Sequence, residues 1–303
     1  MAFPDVTFYA LAGMEMAEGG SVLKRIAIIA GIVVGVLAIV LVAGVLYMRT
    51  YFSAPTAKAV ASVVSDVGAK RVLGIFAHPD DEQLVTGIFS SAKDADKAFT
   101  ALVTGTKGEA GHQVPTVARQ QDLGIVRKAE ALKNGFALGI DDQEVWDYPD
   151  GGVPEIPMEE IVARVVAKIE ADKPDMVVTF WPASGATGHK DHMRMGLVAE
   201  TAVKQVRAQA AVDGYKGPRW IAYVITPPNG LRTFGGTTGK FVADNQPDPT
   251  HAMSGNTGAK LRGWKIHASQ EHYVQAVYGF PDWLLYLFWD QEFYRVVDMD
   301  AAR

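Results

Sequence analysis

From Ile26 to Met48 the chain runs without a charge through Ile, Val, Leu, Ala and Gly, with a single tyrosine, Tyr47, near the end. A run of about 20 such residues spans the hydrocarbon core of a bilayer as a helix. A helix in a soluble core seldom lacks a polar face over this length. The expectation is therefore one membrane-spanning anchor, flanked by Lys24 and Arg25 before it and Arg49 and Tyr51 after it. A cleaved signal peptide is the rival reading, with Ala57-Lys58-Ala59 as a small-residue cleavage site, but its apolar region is normally about 7–15 residues. Basic residues on both sides of the run offset one another. Its place near the N-terminus favours a single-pass membrane protein with the domain that follows the span on the outer face.

The chain has 303 residues and a formal net charge of −5, with no basic stripe interleaved with aromatics, so nucleic acid is not an expected partner. It contains no cysteine. Disulfides and thiolate metal sites are excluded, and any metal must be held by His, Asp or Glu.

The expected organisation is a tail over residues 1–25, the anchor over 26–48, a linker over 49–68 and a catalytic domain over 69–303. Within that domain strand-like and helix-like segments alternate. Strands are expected over Val72–Ala77, Phe99–Thr104, Glu144–Tyr148, Met176–Trp181 and Trp220–Thr226. Helices are expected over Leu84–Asp96, Val117–Leu138 with Gly139 ending it, Met158–Ala171, Met193–Ala211 and Ala259–Tyr273. Alternation of this kind implies βαβ units. The fold class is α/β, a Rossmann-like, mostly parallel sheet flanked by helices and preceded by one transmembrane helix. Residues 227–257, rich in Gly, Pro, Asn and Thr, read as a long loop or lid beside an open site.

The chemistry concentrates where the first of these strands stops. Val72-Leu73-Gly74-Ile75-Phe76-Ala77 is followed by His78-Pro79-Asp80-Asp81-Glu82, and proline cannot continue a central strand. Ligands in open α/β sheets bind outside the carboxyl ends of the strands. His78 and Asp81, three apart across a turn, can converge on one cation. A catalytic zinc takes imidazole and carboxylate, and keeps three protein ligands with one position open. Gly188-His189-Lys190-Asp191-His192, after the Met176–Trp181 strand, offers the missing histidine at the same sheet edge. His112, His251 and His272 lack a comparable acidic or strand-end setting.

Ala77-His78-Pro79-Asp80-Asp81-Glu82 resembles the signature of the PIG-L, or LmbE-like, family of metal-dependent deacetylases. That family includes the GlcNAc-phosphatidylinositol de-N-acetylases and the deacetylases of mycothiol and bacillithiol synthesis. Pro174–Thr179 with Gly188–His192 resembles its second strand and His-Pro-Asp-His motif. Thr104–Gly111 with Arg127-Lys128-Ala129-Glu130, and Lys260 with His267-Ala268-Ser269-Gln270, resemble further family segments in family order. The resemblance implies a zinc ion, or another divalent cation, held by His78, Asp81 and His192. It implies Asp80 as general base, His189 as the group facing the oxyanion or leaving amine, and Arg127 and Asp150 as substrate contacts. Lys190 departs from the usual proline, and Thr187 stands where some members carry tyrosine.

These roles agree with the chemistry of the residue types. Two imidazoles and one carboxylate leave the metal positively charged, which brings a bound water toward a pKa of about 7. Asp80 can take the proton as water attacks an acetamide carbonyl, and a protonated His189 can meet the oxyanion. Asp191 is either an acceptor that orients an imidazole or a helix N-cap. Glu82 either holds the turn through backbone N–H groups or is an ordinary first-turn acid. Gly105, Gly108 and Gly111 lack the full phosphate-loop pattern. Trp283–Trp289 reads as core, with a membrane-facing patch as the alternative.

The expected function is a membrane-anchored zinc-dependent N-deacetylase acting on an N-acetylated amino-sugar glycoconjugate, lipid-linked or otherwise. The competing functions are a non-catalytic, membrane-tethered carbohydrate-binding module and a hydrolase of another amide or ester.

Overall fold

The computed structural model describes residues 6–301, with side chains from residue 24 onward. The first helix, α1, is Val6–Tyr51, so residues 6–25 of the expected tail are helical; residues 1–5 lie outside the described residues. Lys24–Tyr51 is long and apolar enough to cross a membrane, and an 18-residue stretch of it has a mean hydropathy of 3.2. Its side chains from Ile26 to Leu46 are exposed, except that of Val45, which is partly buried. The chain divides into two compact units at Met48/Arg49, and Arg49–Tyr51, the last residues of α1, belong to the second.

The second unit is an α/β sheet with flanking helices. In chain order it contains β1 (Lys58–Ala59), α2 (Val63–Asp66), β2 (Arg71–Phe76), α3 (Thr86–Asp94), β3 (Phe99–Thr106), α4 (Leu123–Leu138) and β4 (Asp142–Tyr148). There follow α5 (Met158–Asp172), β5 (Met176–Phe180), α6 (Lys190–Ala208), β6 (Trp220–Ile225), α7 (Pro228–Phe234) and α8 (Gly236–Asp244). The unit closes with β7 (His251–Ser254), α9 (Thr257–Ile266), α10 (Tyr273–Tyr278), α11 (Asp282–Phe288) and β8 (Gln291–Asp298).

The strand order across the sheet is β4-β3-β2-β5-β6-β8-β7-β1. The first five are parallel, and β8 runs antiparallel to both β6 and β7. Strand order reverses between β2 and β5, which makes their carboxyl ends the switch point where such sheets open a crevice. In β2, Val72, Leu73, Ile75 and Phe76 are fully buried. Each contributes roughly 1.5–3 kcal/mol by leaving water, which holds the strand in the core and leaves the charged residues beyond it at the edge.

Three expectations change. The stretch read as a linker, 49–68, is largely folded in: β1 pairs with β7, and Val63 and Val64 of α2 are in the core. The stretch read as a lid, 227–257, forms α7, α8 and β7. Gly230, Gly235 and Gly239 serve close packing there; a Cβ on Gly239 would lie 2.4 Å from the Leu231 carbonyl oxygen. The expected Ala259–Tyr273 helix stops at Ile266, and a 3-10 turn over Ala268–Gln270 precedes α10. Apolar content suggests helix through this segment, but the buried side chains of His267, Ser269 and Gln270 turn it inward.

Candidate active site

Strands β2 and β5 are neighbours, with Ile75 opposite Thr179, so the chain segments leaving them share one edge. After β2 the Asp81 carboxylate folds back to accept the backbone N–H groups of Ala77 (3.1 Å) and His78 (2.7 Å). This tight turn forces Asp80 to φ 99°, a left-handed conformation uncommon for a residue with a side chain. A 3-10 turn over Asp81–Leu84 follows. On the β5 side, His189 caps α6 by accepting the Asp191 N–H at Nδ1 (3.2 Å). The helix thus begins at Lys190, three residues before the expected Met193, and Asp191 is not its cap.

His78, Asp81 and His192, the three expected ligands, are all buried. His78 Nδ1 lies 2.9 Å from His192 Nε2, His192 Nε2 lies 3.2 Å from Asp81 Oδ1, and His78 Nδ1 lies 3.7 Å from Asp81 Oδ2. Donors bonded at about 2.0–2.2 Å to a tetrahedral zinc are separated by about 3.3–3.6 Å. The other nitrogen of each ring is already engaged. His192 Nδ1 meets the Gly185 carbonyl (3.0 Å) and the Thr187 hydroxyl (2.8 Å). His78 Nε2 faces Asp150 Oδ1 (3.0 Å) and Asp191 Oδ2 (3.1 Å). With protons held on those nitrogens, His78 Nδ1 and His192 Nε2 turn lone pairs toward each other and toward a carboxylate. That donor set fits a divalent cation.

Two further groupings could hold a metal: His78 with His189 and His192, and His78 with Asp150 and Asp191. The second shares His78 through Nε2, where the distances to the carboxylates are those of ordinary hydrogen bonds. Asp150 and Asp191 therefore orient the His78 ring, and Asp191 also accepts the Gly151 N–H (2.7 Å). Burial opposes charging His78, but the bonds to Asp150 and Asp191 outweigh it and push the group up to about 10, so a cation binding at Nδ1 would have to displace the proton there.

The two aspartates of the turn differ sharply. Burial raises both, but His192 and His78 overcome it at Asp81, which is held well below the usual carboxylate range. At Asp80 burial prevails over Arg127, and Asp81 adds to it; the carboxyl is pushed up to about 6. Arg127 donates to Asp80 Oδ2 (2.9 Å), the Pro79 carbonyl (2.7 Å) and the Gly108 carbonyl (2.9 Å). Its guanidinium thus holds the turn, and Arg127 also lines the cavity. Gly108, at φ +68°, is where that guanidinium passes; a Cβ would lie 2.5 Å from Nη1. A Cβ on Gly111 would lie equally close to it, at 2.5 Å, whereas Gly105 packs against Met195.

His189 is exposed, its ring edge-on to His78 with centroids 4.7 Å apart. Burial and the neighbouring imidazoles of His78 and His192 lower its pKa, against the protonated form expected from sequence. Glu82 is not the solvated first-turn acid that was the simpler expectation. It is buried and accepts the Asp80 N–H (3.0 Å), the Asn134 amide (2.7 Å) and His267 Nε2 (2.5 Å). His251, read as lacking an acidic partner, lies 3.2 Å from Asp66 at the far end of the sheet.

Asn134 was missed, and His267 was noticed only as part of a motif. A signal for the former existed: Arg127, Glu130 and Asn134 fall on one face of α4 with Leu123, Ala131 and Leu138, and all are buried. Polar residues on the apolar face of a helix mark a buried polar network.

The site opens into a cavity of about 580 Å³. His78, Asp80, Asp81, Asp150, His189 and His192 line one side, and Ile225, Leu231, Val242, Val274, Leu285 and Trp289 are among the apolar residues of the other.

A family model described as PIG-L, GlcNAc-PI de-N-acetylase, matches residues 73–203. A 1D-myo-inositol 2-acetamido-2-deoxy-alpha-D-glucopyranoside deacetylase of Thermobifida fusca is 31% identical over 205 residues, 59% of this chain and 68% of that protein. The chain belongs to the PIG-L family. A protein of the same name, deacetylase 1 of Catenulispora acidiphila, is 32% identical over 52% of this chain; the chain spans only about half, 54%, of that relative's length. Among solved structures, the N,N'-diacetylchitobiose deacetylase from Pyrococcus horikoshii shares the fold, with a TM-score of 0.59 over 80% of this chain and 88% of that one at 20% identity. These relatives are named deacetylases, hydrolases of a non-peptide C–N bond.

Proposed function

We propose that this PIG-L family member is a membrane-anchored, zinc-dependent N-deacetylase that hydrolyses the acetamide of an N-acetylglucosamine-type substrate. The observation that carries the reading is the convergence of His78 Nδ1, His192 Nε2 and Asp81 on one point, beside a second aspartate with a raised pKa. The strand order 4-3-2-5-6 supports a Rossmann-like topology with the site at its switch point. The names of the curated relatives make an inositol glycoside of N-acetylglucosamine the first substrate to test. The anchor favours a form of it carried on a lipid or other envelope glycoconjugate, with the catalytic domain on the outer face.

His78, Asp81 and His192 would hold a divalent cation, which would supply a Lewis acid and lower the pKa of water at the site. Asp80 accepts the proton of that water as oxygen attacks the acetamide carbonyl. A carboxyl near 6 is basic enough to take the proton and acidic enough to return it. Arg127 and the Glu82 contact to the Asp80 N–H hold it in the strained turn. His189 acts as a neutral imidazole: with Nδ1 accepting from Asp191, its proton sits on Nε2, where it can be donated to the developing oxyanion. Asp80 then passes its proton to nitrogen as the C–N bond breaks, giving acetate and a free amine.

The test is metal analysis of the purified chain together with acetate release from N-acetylglucosaminyl-inositol and a panel of N-acetylglucosamine conjugates. One bound divalent ion with acetate release supports the reading. A metal-bearing protein that binds these sugars without releasing acetate returns the carbohydrate-binding alternative.

A further inference from the structure

Helices α10 and α11 each present a partly exposed apolar pair at i,i+4 spacing, with Tyr273 also stacked by one face on Trp264 (6.0 Å). On α10 these are Tyr273 and Val277, 40% and 51% exposed; on α11 they are Trp283 and Leu287, 59% and 42% exposed. The opposite face of α11 is buried through Leu285, Tyr286 and Phe288. Residues 273–289 carry one charged side chain, Asp282. Single exposed apolar residues are ordinary on a protein surface, but a contiguous patch of this kind signals something that covers it.

The chain itself indicates what does. The residues that follow the apolar span are built into this same corner. Arg49 donates Nε to the Leu287 carbonyl (3.2 Å) and pairs with Asp290. Phe52 stacks between Phe234 (5.8 Å) and Trp289 (5.9 Å), and Phe280 links Phe234 to Phe288. A cluster of aromatics with an arginine at the end of an apolar span is the composition of a membrane–water interface. Chain continuity then keeps α11 within side-chain reach of the point where the chain leaves the bilayer. Tyr273, Ala276 and Val277 both line the cavity and are exposed, so α10 forms part of its mouth.

We propose that α10 and α11 rest on the lipid bilayer through Tyr273, Val277, Trp283 and Leu287, so that the cavity takes its amino sugar at the level of the lipid headgroups. The proposal rests on the reading of Lys24–Tyr51 as a membrane anchor. Trp and Tyr suit such a surface because an aromatic body enters the interface while a polar atom stays in water.

The absence of cysteine allows a direct test with the full chain in lipid nanodiscs. Spin labels are placed at Leu287→Cys, at Leu37→Cys within the span, and at Phe136→Cys, an exposed position on α4. Collision with oxygen, which concentrates in lipid, is compared with collision with a water-soluble nickel chelate. The expected result is oxygen-dominated relaxation at positions 37 and 287 and nickel-dominated relaxation at 136. A label at 287 as open to nickel as that at 136, with 37 in lipid, overturns the proposal and leaves the anchor standing. A label at 37 open to nickel removes the anchor and the proposal with it. A label at 287 shielded from both reagents means that protein covers the face, and also overturns it. In activity, Trp283→Ser with Leu287→Ser should raise KM about tenfold for dodecyl N-acetylglucosaminide in vesicles and leave it unchanged for N-acetylglucosaminyl-inositol in solution. An equal KM change for both substrates, or none, contradicts the proposed presentation of substrate.

Discussion

The ends of β2 and β5 crowd His78, Asp80, Asp81 and His192 into one wall of the cavity, with Asp191 buried behind them, and most polar atoms there have a directed partner within about 3 Å. The facing wall, from α7 to α11, is largely aliphatic and aromatic, with a few directed bonds such as Trp264 Nε1 to the Tyr286 hydroxyl (2.6 Å). The first wall has little tolerance, because removing one member leaves another buried charge without compensation, at about 3–5 kcal/mol. The second tolerates volume-conserving exchanges at under about 1.5 kcal/mol. Chemistry is therefore confined to the polar wall, while the apolar wall is free to match whatever the sugar is attached to.

The strongest break of this contrast is His192→Ala. It should abolish metal binding and lower kcat/KM by at least about a thousandfold, read by metal analysis and acetate release. Asp80→Asn should keep the metal while turnover falls by about 10²–10⁴-fold; turnover within a few-fold of the parent chain would show that Asp80 is not the base. His267→Ala leaves Glu82 buried without its imidazole, and thermal or urea unfolding should report a loss of about 3–5 kcal/mol. On the apolar wall, Leu285→Ala should cost about 2–5 kcal/mol by leaving a cavity, with kcat on a small soluble substrate largely retained. Trp283→Ser, on the exposed side of the same helix, should change stability by less than about 0.5 kcal/mol.

The polar wall was legible for a physical reason. A strand must end where a proline removes its donor, and charged residues that follow cannot remain in the core, so His78, Asp80 and Asp81 announce a strand-end site in one short segment. The histidines at 189 and 192 could be assigned to the same edge because alternating segments imply parallel strands. The roles of Glu82 and Arg127 were less legible. Glu82 looks like an N-terminal helix acid until His267 and Asn134, 185 and 52 residues away in sequence, close around it. Nothing in the sequence around Arg127 shows that it also holds Asp80, 47 residues away. The segment 227–257 misled because glycine has two uses, freedom in a loop and close approach between helices, and composition does not separate them.

By itself the sequence determined the apolar span, the α/β alternation, the absence of thiolate chemistry and the residues able to hold a cation. These depend on side-chain type and on spacing along the chain. Only the tertiary structure decided which imidazole nitrogen faces the centre, which aspartate is held ionised and which is pushed up to about 6. It also decided that Phe52 and Arg49 lock into the end of α11. Each of these depends on burial and on partners brought together from distant parts of the chain, and neither is encoded in a local run of residues.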